Sequence, residues 1–280
     1  MNAALLDGSG KPVICPLCGA GGMGFLFESA GFHFYRCPSC TYVKRGEPAS
    51  ATIHKYHDES YAAQYGDEAE QRLKKRGVLG LCARFAPRRA RLLDVGCSLG
   101  YMLEEAETMG WEAYGVELSE DAVAKARARG VKNIEVKDIV DVDFPGGFFD
   151  VIVMTHVLEH LDDPFGYLRK MARWLKEGGI LYISVPNFSS HSAKRDGKDW
   201  TTLVPEEHIS QFTARALKAA VEKYSGCAVR EVSGDHRFGE EPRGMMATIR
   251  YFLGYLKDRL LIGRGLYVIA QKPKGASRRA

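Results

Sequence analysis

The sequence predicts an α/β fold: a doubly wound, mostly parallel seven-stranded sheet preceded by a small four-cysteine ribbon. Three observations carry that expectation. From about residue 69 onward, apolar runs of strand length alternate with runs of helix length, the pattern of right-handed βαβ units covered on both sheet faces. The first strand, "RLLDV", runs into the turn "GCSLG" at residues 96–100, and such a strand-turn-helix forms a ligand crevice at the end of a parallel sheet. Ahead of it stand two cysteine knuckles, "CPLC" at 15–18 and "CPSC" at 37–40.

The bulk numbers agree. A chain of 280 residues suits one ordinary domain plus a small one, and 45% apolar residues is typical of a protein with a real core. A net charge of +4 is too small to argue for a nucleic-acid partner. The opening "MNAALLDGSG" has no charged n-region, and nothing approaches about 18 consecutive apolar residues, so neither a signal peptide nor a membrane span is expected. Seven cysteines, an odd number, argue against a secreted disulfide framework, and the expected compartment is cytoplasmic.

In chain order, residues 10–45 read as a zinc ribbon. Cys15, Cys18, Cys37 and Cys40 form two C-x-x-C pairs separated by 18 residues, which suits a tetrahedral Zn2+ site. Between them, "GFLFESAGFHFYRC" reads as two strands joined at Ala30-Gly31. A redox C-P-x-C pair is the rival reading, but it needs a thioredoxin-like frame that this stretch lacks. Four sulfurs close the coordination sphere, so the metal is expected to be structural. Residues 46–68 read as a polar linker, and a helical pattern runs from Ala69 to about Phe85.

The main domain is expected to span 69–271. Strands are predicted at 91–95, 112–117, 133–136, 149–154, 179–185, 227–233 and 266–271, with helices at 99–109, 119–129, 162–176 and 213–224. Two stretches interrupt the alternation: a polar loop at 187–208 and an apolar-rich helical insertion at 243–262 that reads equally as a lid, a dimer face or core. The tail 272–280 is basic and expected to fray.

The charges around the first turn select the ligand. Gly96 lets a ligand approach the backbone, and Gly100 allows close helix–strand packing. Asp94 at the strand end would repel a pyrophosphate, which prefers bare amides. The same carboxylate favours a cation, and S-adenosylmethionine carries an ammonium and a sulfonium without phosphate. Glu117 closes the next strand 23 residues later, where a carboxylate can accept both ribose hydroxyls. Asp138, after the following strand, is placed to reach the adenine amino group.

"LLDVGCSLG", "GVELSEDAV", "FFDVIVMTHVLEHLDDP" and "ISVPN" closely resemble class I S-adenosylmethionine-dependent methyltransferases, with a Rossmann-like sheet, over about residues 70–235. The resemblance implies cofactor-binding roles for Asp94, Gly96, Gly100, Glu117 and Asp138, with further contacts at Cys97, Ser98 and His156. Ser98 replaces the middle glycine of the D-x-G-x-G-x-G pattern. A ribbon directly before such a domain resembles a bacterial group that includes sugar and natural-product methyltransferases. In its sugar carbon-methyltransferases a Y-x-E-H-x-x-x-F block carries the proposed general base. Here "PEEHISQF" matches it with Glu207, His208 and Phe212, while Pro205 stands where the block has Tyr. Those enzymes also have a further C-terminal domain, for which this chain has no room.

Methyl transfer from a sulfonium is an in-line displacement in which the enzyme chiefly aligns the reactants. A hydroxyl acceptor must also lose its proton, a task for a neutral histidine. His208 with Glu207 is the first candidate and His160 the second, although His160 serves equally as a brace before the next helix. Glu159, Phe212 and Trp200 are expected at the acceptor; for Trp200, stacking and core anchoring are both open. The expected reaction is O-methylation of a small molecule such as a sugar, glycan or natural-product intermediate. N- or C-methylation of a sugar nucleotide and RNA methylation are the alternatives, the last drawing on Arg84, Arg88, Arg89 and Arg91. Against RNA, residues 15–40 hold one Arg, no Lys and one acid, a poor phosphate footprint. A homodimer or docking partner could use the ribbon or the 243–262 helix.

Overall fold

The computed structural model describes residues 12–46, 67–234, 256 and 259–275. The ribbon forms as its hairpin pattern predicts, with β1 (Gly24–Ser29) and β2 (Phe32–Arg36) antiparallel around Ala30-Gly31. Both turn residues have positive φ, 50° at Ala30 and 79° at Gly31. Two strands too short to show in the pattern complete the sheet: β3 (Val43–Arg45) pairs with β2, and β9 (Ser210–Gln211), from far along the chain, pairs with β3. The ribbon sheet therefore takes its fourth strand from the main domain.

The main sheet contains β4 (Arg91–Val95), β5 (Glu112–Glu117), β6 (Ile134–Val136), β7 (Phe149–Thr155), β8 (Leu175–Pro186), β10 (Ala228–Gly234) and β11 (Gly265–Gln271). Their order is β10-β11-β8-β7-β4-β5-β6, with β11 antiparallel to both neighbours and the other pairings parallel. The chain goes outward from β4 through β5 and β6, then returns to β7 on the other side of β4. That reversal opens a crevice beyond the carboxyl ends of β4 and β7.

Helices α1 (Glu68–Ala83), α2 (Tyr101–Thr108) and α3 (Glu120–Ala128) precede α4 (Pro164–Trp174), α5 (His191–Asp196) and α6 (Ala214–Ala220). Asp163 caps α4 by accepting the Gly166 N–H at 2.8 Å, with Pro164 at the first helical position. That helix stops two residues early because Leu175 is recruited to pair with Phe149. After Ala220, α6 continues as a π turn over Val221–Ser225. The loop at 187–208 is less irregular than its composition suggests, since it contains α5, capped by Ser190, and a 3-10 turn at Gly197–Asp199.

One core lies on each face of the sheet. Val78, Leu79, Met102, Leu103, Val123 and Ala126, from the first three helices, cover one face. Phe165, Leu168, Met171, Leu217 and Val221 cover the other, and the ribbon's Leu17, Met23, Tyr42, Cys15, Cys37 and Cys40 continue that same core. Trp200 and Phe212, read from sequence as acceptor contacts, belong to this packing instead. Trp200 is 3% exposed among Phe34, Val43, Ala193 and Leu203, and Phe212 is fully buried with its ring 5.5 Å from that of Tyr42. From sequence, Phe212 is expected at the acceptor by its place in the E-H-x-x-x-F block, and Trp200 is open between stacking and core anchoring; large apolar side chains here are what the ribbon docks on.

The predicted linker falls almost entirely in 47–66, outside the described residues, as do Met245, Met246 and most of the 243–262 segment. The first part of the tail is held rather than frayed: Lys272 Nζ donates to the Ala172 and Leu175 carbonyls, each at 2.7 Å, and the Gly275 N–H donates to Glu177 at 3.1 Å. Replacement of Phe212 by Ala should lower stability by about 3–5 kcal/mol in urea unfolding, through the cavity left between ribbon and main domain. Cofactor affinity measured on the folded variant should stay within about twofold of the parent.

Candidate active site

The turn after β4 is built from residues that ordinary side chains cannot replace. Gly96, Ser98 and Gly100 have φ of 75°, 48° and 77°. A Cβ on Gly96 would lie 2.5 Å from Val157 Cγ2, and one on Gly100 would lie 3.1 Å from Ala126 Cβ. The two glycines therefore do what the sequence assigned to them, close approach and close packing. Ser98 accepts a left-handed conformation that costs a non-glycine residue roughly 1–2 kcal/mol. Its N–H is held in return by Glu117 Oε2 at 2.7 Å. Glu117 Oε1 accepts the N–H groups of Leu118 and Ser119 at 2.8 and 3.0 Å, so one carboxylate ties the first turn to the end of β5.

Asp94 is 1% exposed, and its Oδ2 has no hydrogen-bond partner. Burial pushes its carboxyl up to about 7, with Lys75 opposing and Glu117 reinforcing the shift. A buried acid with an unmet oxygen beside a glycine turn is suited to a cationic ligand, which would restore its charge. Ser98 Oγ is also unpartnered and buried. These groups fit a ligand with a positive centre, backbone-facing polar atoms and no phosphate. Cys97 is buried, with its Sγ packed against the Gly115 backbone, where an added Cβ would lie 2.6 Å away; its thiol is pushed well up by burial. The Asp138 carboxylate accepts the Val140 N–H at 2.9 Å, closing a turn just after β6.

The opposite wall rises from the end of β7. His156 takes φ of 53° there, a conformation in which a non-glycine residue is uncommon. Its Nδ1 lies 3.3 Å from Glu159 Oε1. Glu159 is 1% exposed; burial works to raise its carboxyl, but the hydrogen bond from His156 and the fields of His156, His160 and His208 outweigh that and hold it low.

His208 comes from a distant turn, and its ring stands 4.6 Å from that of His160 at 79°. Its Nδ1 lies 3.0 Å from the Thr202 carbonyl, which can only accept, so Nδ1 carries the proton and Nε2 the lone pair of the neutral ring. Burial holds both imidazoles below their usual range, His160 at about 4. Sequence leaves open whether Glu207 or Glu159 backs a histidine; the Glu159 carboxylate is the one grouped with both rings, while Glu207 acts on His160 through its charge and its backbone.

Arg45, which sequence reading missed, fixes this turn. It is fully buried; its Nη1 donates to the Pro205 and Glu206 carbonyls at 2.9 and 3.0 Å, and its N–H donates to Ile209 at 2.9 Å. Its guanidinium also lies 4.6 Å from the centre of the Phe32 ring. No local pattern signals such a contact across 160 residues of sequence. In the ribbon, Cys15 and Cys40 sulfurs are 3.6 Å apart and those of Cys18 and Cys37 are 3.5 Å apart, near the roughly 3.8 Å edge of a tetrahedron with 2.3 Å Zn–S bonds.

A model of the methyltransferase domain family matches residues 65–232, well over half of the chain. The chain belongs to that methyltransferase family. The family match, together with the order of the seven-stranded sheet, makes it a class I S-adenosylmethionine-dependent methyltransferase. The methyltransferase is 29% identical over 163 residues to the ubiquinone biosynthesis O-methyltransferase of Xanthomonas axonopodis pv. citri (strain 306), an alignment covering 54% of this chain and 68% of that enzyme. Against the Xanthomonas oryzae pv. oryzae (strain PXO99A) enzyme, identity is 34% over 104 residues, 35% of this chain and 44% of the relative. The chain thus spans from under half to about two thirds of the length of these relatives. Among solved structures, an S-adenosylmethionine-dependent methyltransferase from Archaeoglobus fulgidus aligns with a TM-score of 0.56 at 21% identity, covering 77% of this chain and all of that one. Among the described residues of the methyltransferase, no helix is long and apolar enough to cross a membrane.

The steric argument at Gly96 is testable without a substrate. Gly96→Ala should lose about 1–3 kcal/mol of stability in urea unfolding. Adding Val157→Ala should recover part of the loss by removing the clash, leaving the share that comes from φ.

Proposed function

We propose that this enzyme transfers the methyl group of S-adenosylmethionine to a hydroxyl of a small molecule, a sugar, glycan or other natural-product intermediate. The observation that carries the reading is the pair of imidazoles, His160 and His208, kept neutral by burial, with His160 in the turn after β7, the strand beside the one that carries Asp94. A neutral imidazole with a lone pair at Nε2 is what removes a hydroxyl proton near pH 7. The names of the matched relatives, O-methyltransferases, support an oxygen acceptor.

In this reading the bound cofactor supplies an electrophilic methyl group on a sulfonium. Asp94 receives the cationic methionine end, the Gly96–Gly100 turn lies along it, and Glu117 accepts the ribose hydroxyls. Asp138 borders the adenine, and His156 lines the wall near the methyl group. His208 takes the acceptor proton, with Glu159 stabilising the imidazolium that results. Arg45 is a positioning residue, holding the turn that carries His208. One zinc ion held by Cys15, Cys18, Cys37 and Cys40 would keep the ribbon rigid enough to present β3 and Arg45.

The deciding experiment supplies purified enzyme and methyl-labelled S-adenosylmethionine to a lysate of its source, then separates small molecules, glycans and lipids, RNA and protein. Label in a small-molecule or glycan fraction, stable to amine-directed reagents, supports the proposal. Label in RNA that is lost on RNase treatment overturns it.

Because Asp94 is partly protonated near pH 7 and a cation binds its charged form, cofactor affinity should rise with pH across about 6–8, with proton uptake by the buffer visible in calorimetry. Asp94→Asn should flatten that dependence and weaken binding at least tenfold, on the order of 1.4 kcal/mol. Because burial holds His208 below the usual imidazole range, turnover at saturating cofactor should begin to fall only below the pH at which a free histidine titrates. His208→Asn should slow turnover by about 10²–10⁴ with cofactor affinity unchanged.

A further inference from the structure

Three side chains at the acceptor end are arranged in a way that proton transfer alone does not use. Glu159, His160 and His208 each offer a ligand atom, and these atoms all lie within 4.8 Å of one another. An ion centred among three such atoms is within about 2.8 Å of each, against about 2.0–2.2 Å in a finished site. Glu159 is 1% exposed, and its Oε2 is buried without a hydrogen-bond partner, although Oε1 is engaged by His156. An unmet carboxylate oxygen in a protein interior calls for a cation or a donor to complete it.

Both rings are also held from behind. His208 Nδ1 gives its proton to the Thr202 carbonyl, and the Glu207 backbone engages the His160 ring. Histidines that ligate metals are oriented in this way, one nitrogen bonded to a carbonyl so that the other presents its lone pair. Two of the residues share one turn after β7, while the third is brought in on the turn that Arg45 grips.

We infer that Glu159, His160 and His208 form a divalent-cation site at the acceptor end of the crevice. Two imidazoles and one carboxylate suit Zn2+, Mn2+, Fe2+ or Co2+ better than Ca2+, which prefers an all-oxygen shell. Three protein ligands leave coordination positions open for an oxygen of the acceptor. The inference rests on the reading of this pocket as the acceptor site, and it changes what acidifies the hydroxyl. A metal-bound water falls from a pKa of about 15.7 to about 7, and a metal-bound hydroxyl is acidified in the same sense, losing its proton to solvent. The oxygen then forms a bond to the methyl carbon as the carbon–sulfur bond breaks, its electron pair remaining on sulfur. The products are a methyl ether and S-adenosylhomocysteine.

The test uses Mn2+, a poor ligand partner for four thiolates, so that the ribbon does not compete. Full-length enzyme carrying one zinc per chain, the amount the four thiolates take up first, is titrated with Mn2+ while the free ion is followed by electron paramagnetic resonance. One Mn2+ per chain is expected, with at least tenfold weaker binding in Glu159→Gln and in His208→Asn. Zinc content and S-adenosylmethionine affinity, unchanged in both variants, would establish that they fold. No saturable Mn2+ binding in the parent, or equal binding in both variants, overturns the cation site. If Mn2+ does not bind and His208→Asn still slows turnover, the histidine base stands without a metal. If neither effect is seen, the acceptor-site reading falls with it.

Discussion

The burial of one positive charge organises the two halves of this molecule. Arg45 lies at the end of a three-residue ribbon strand, fully inside the protein, where an uncompensated guanidinium would cost several kcal/mol. Its Nη1 donates to the carbonyls at 205 and 206, and its own backbone N–H bonds to the carbonyl at 209. Between those carbonyls sits His208. The ribbon is thus packed against the turn that carries His208, held by strand pairing, by the Tyr42–Ser210 and Thr41–Thr213 hydroxyl contacts of 2.6 Å, and by a common core. Its order and the order of the site are one property.

The cofactor end obeys a different constraint. Four residues at the ends of adjacent strands, Gly96, Ser98, Gly100 and His156, have left-handed backbone conformations. Such turns are costly for Ser and His and persist where the surroundings over-determine them. Glu117 does so for Ser98 through a direct hydrogen bond to its N–H, and the Ser184 carbonyl accepts the His156 N–H at 2.9 Å. Between the two ends lie an acid raised by burial, an acid lowered by histidines, and two imidazoles kept neutral by burial. Environments that push titratable groups apart assign them different work.

Much of the fold was legible because the signals are local. Strand β4 and strand β5 lie at their predicted residues, and the cap at Asp163 follows from one acid before a proline. The turn's glycines were readable because only glycine tolerates both the φ and the 2.5 Å approach to Val157 at position 96. What the sequence left open were side chains whose partners are remote. Trp200 and Phe212 stand among polar residues in the sequence but meet Phe34 and Tyr42 in space. Glu207 is adjacent to His208, but the carboxylate grouped with both histidine rings is Glu159, 49 positions before His208.

By itself, then, the sequence determined the βαβ alternation, the cysteine quartet, the glycine turn and the acids at successive strand ends, since each depends on spacing within one element or one turn. Tertiary structure alone decided that the ribbon borrows β9, that Arg45 holds the turn bearing His208, and that Glu159 joins His160 and His208. Those contacts join segments from 48 to about 170 residues apart. No periodicity records them, because they arise only when two finished surfaces must bury their apolar area and pair every polar group between them.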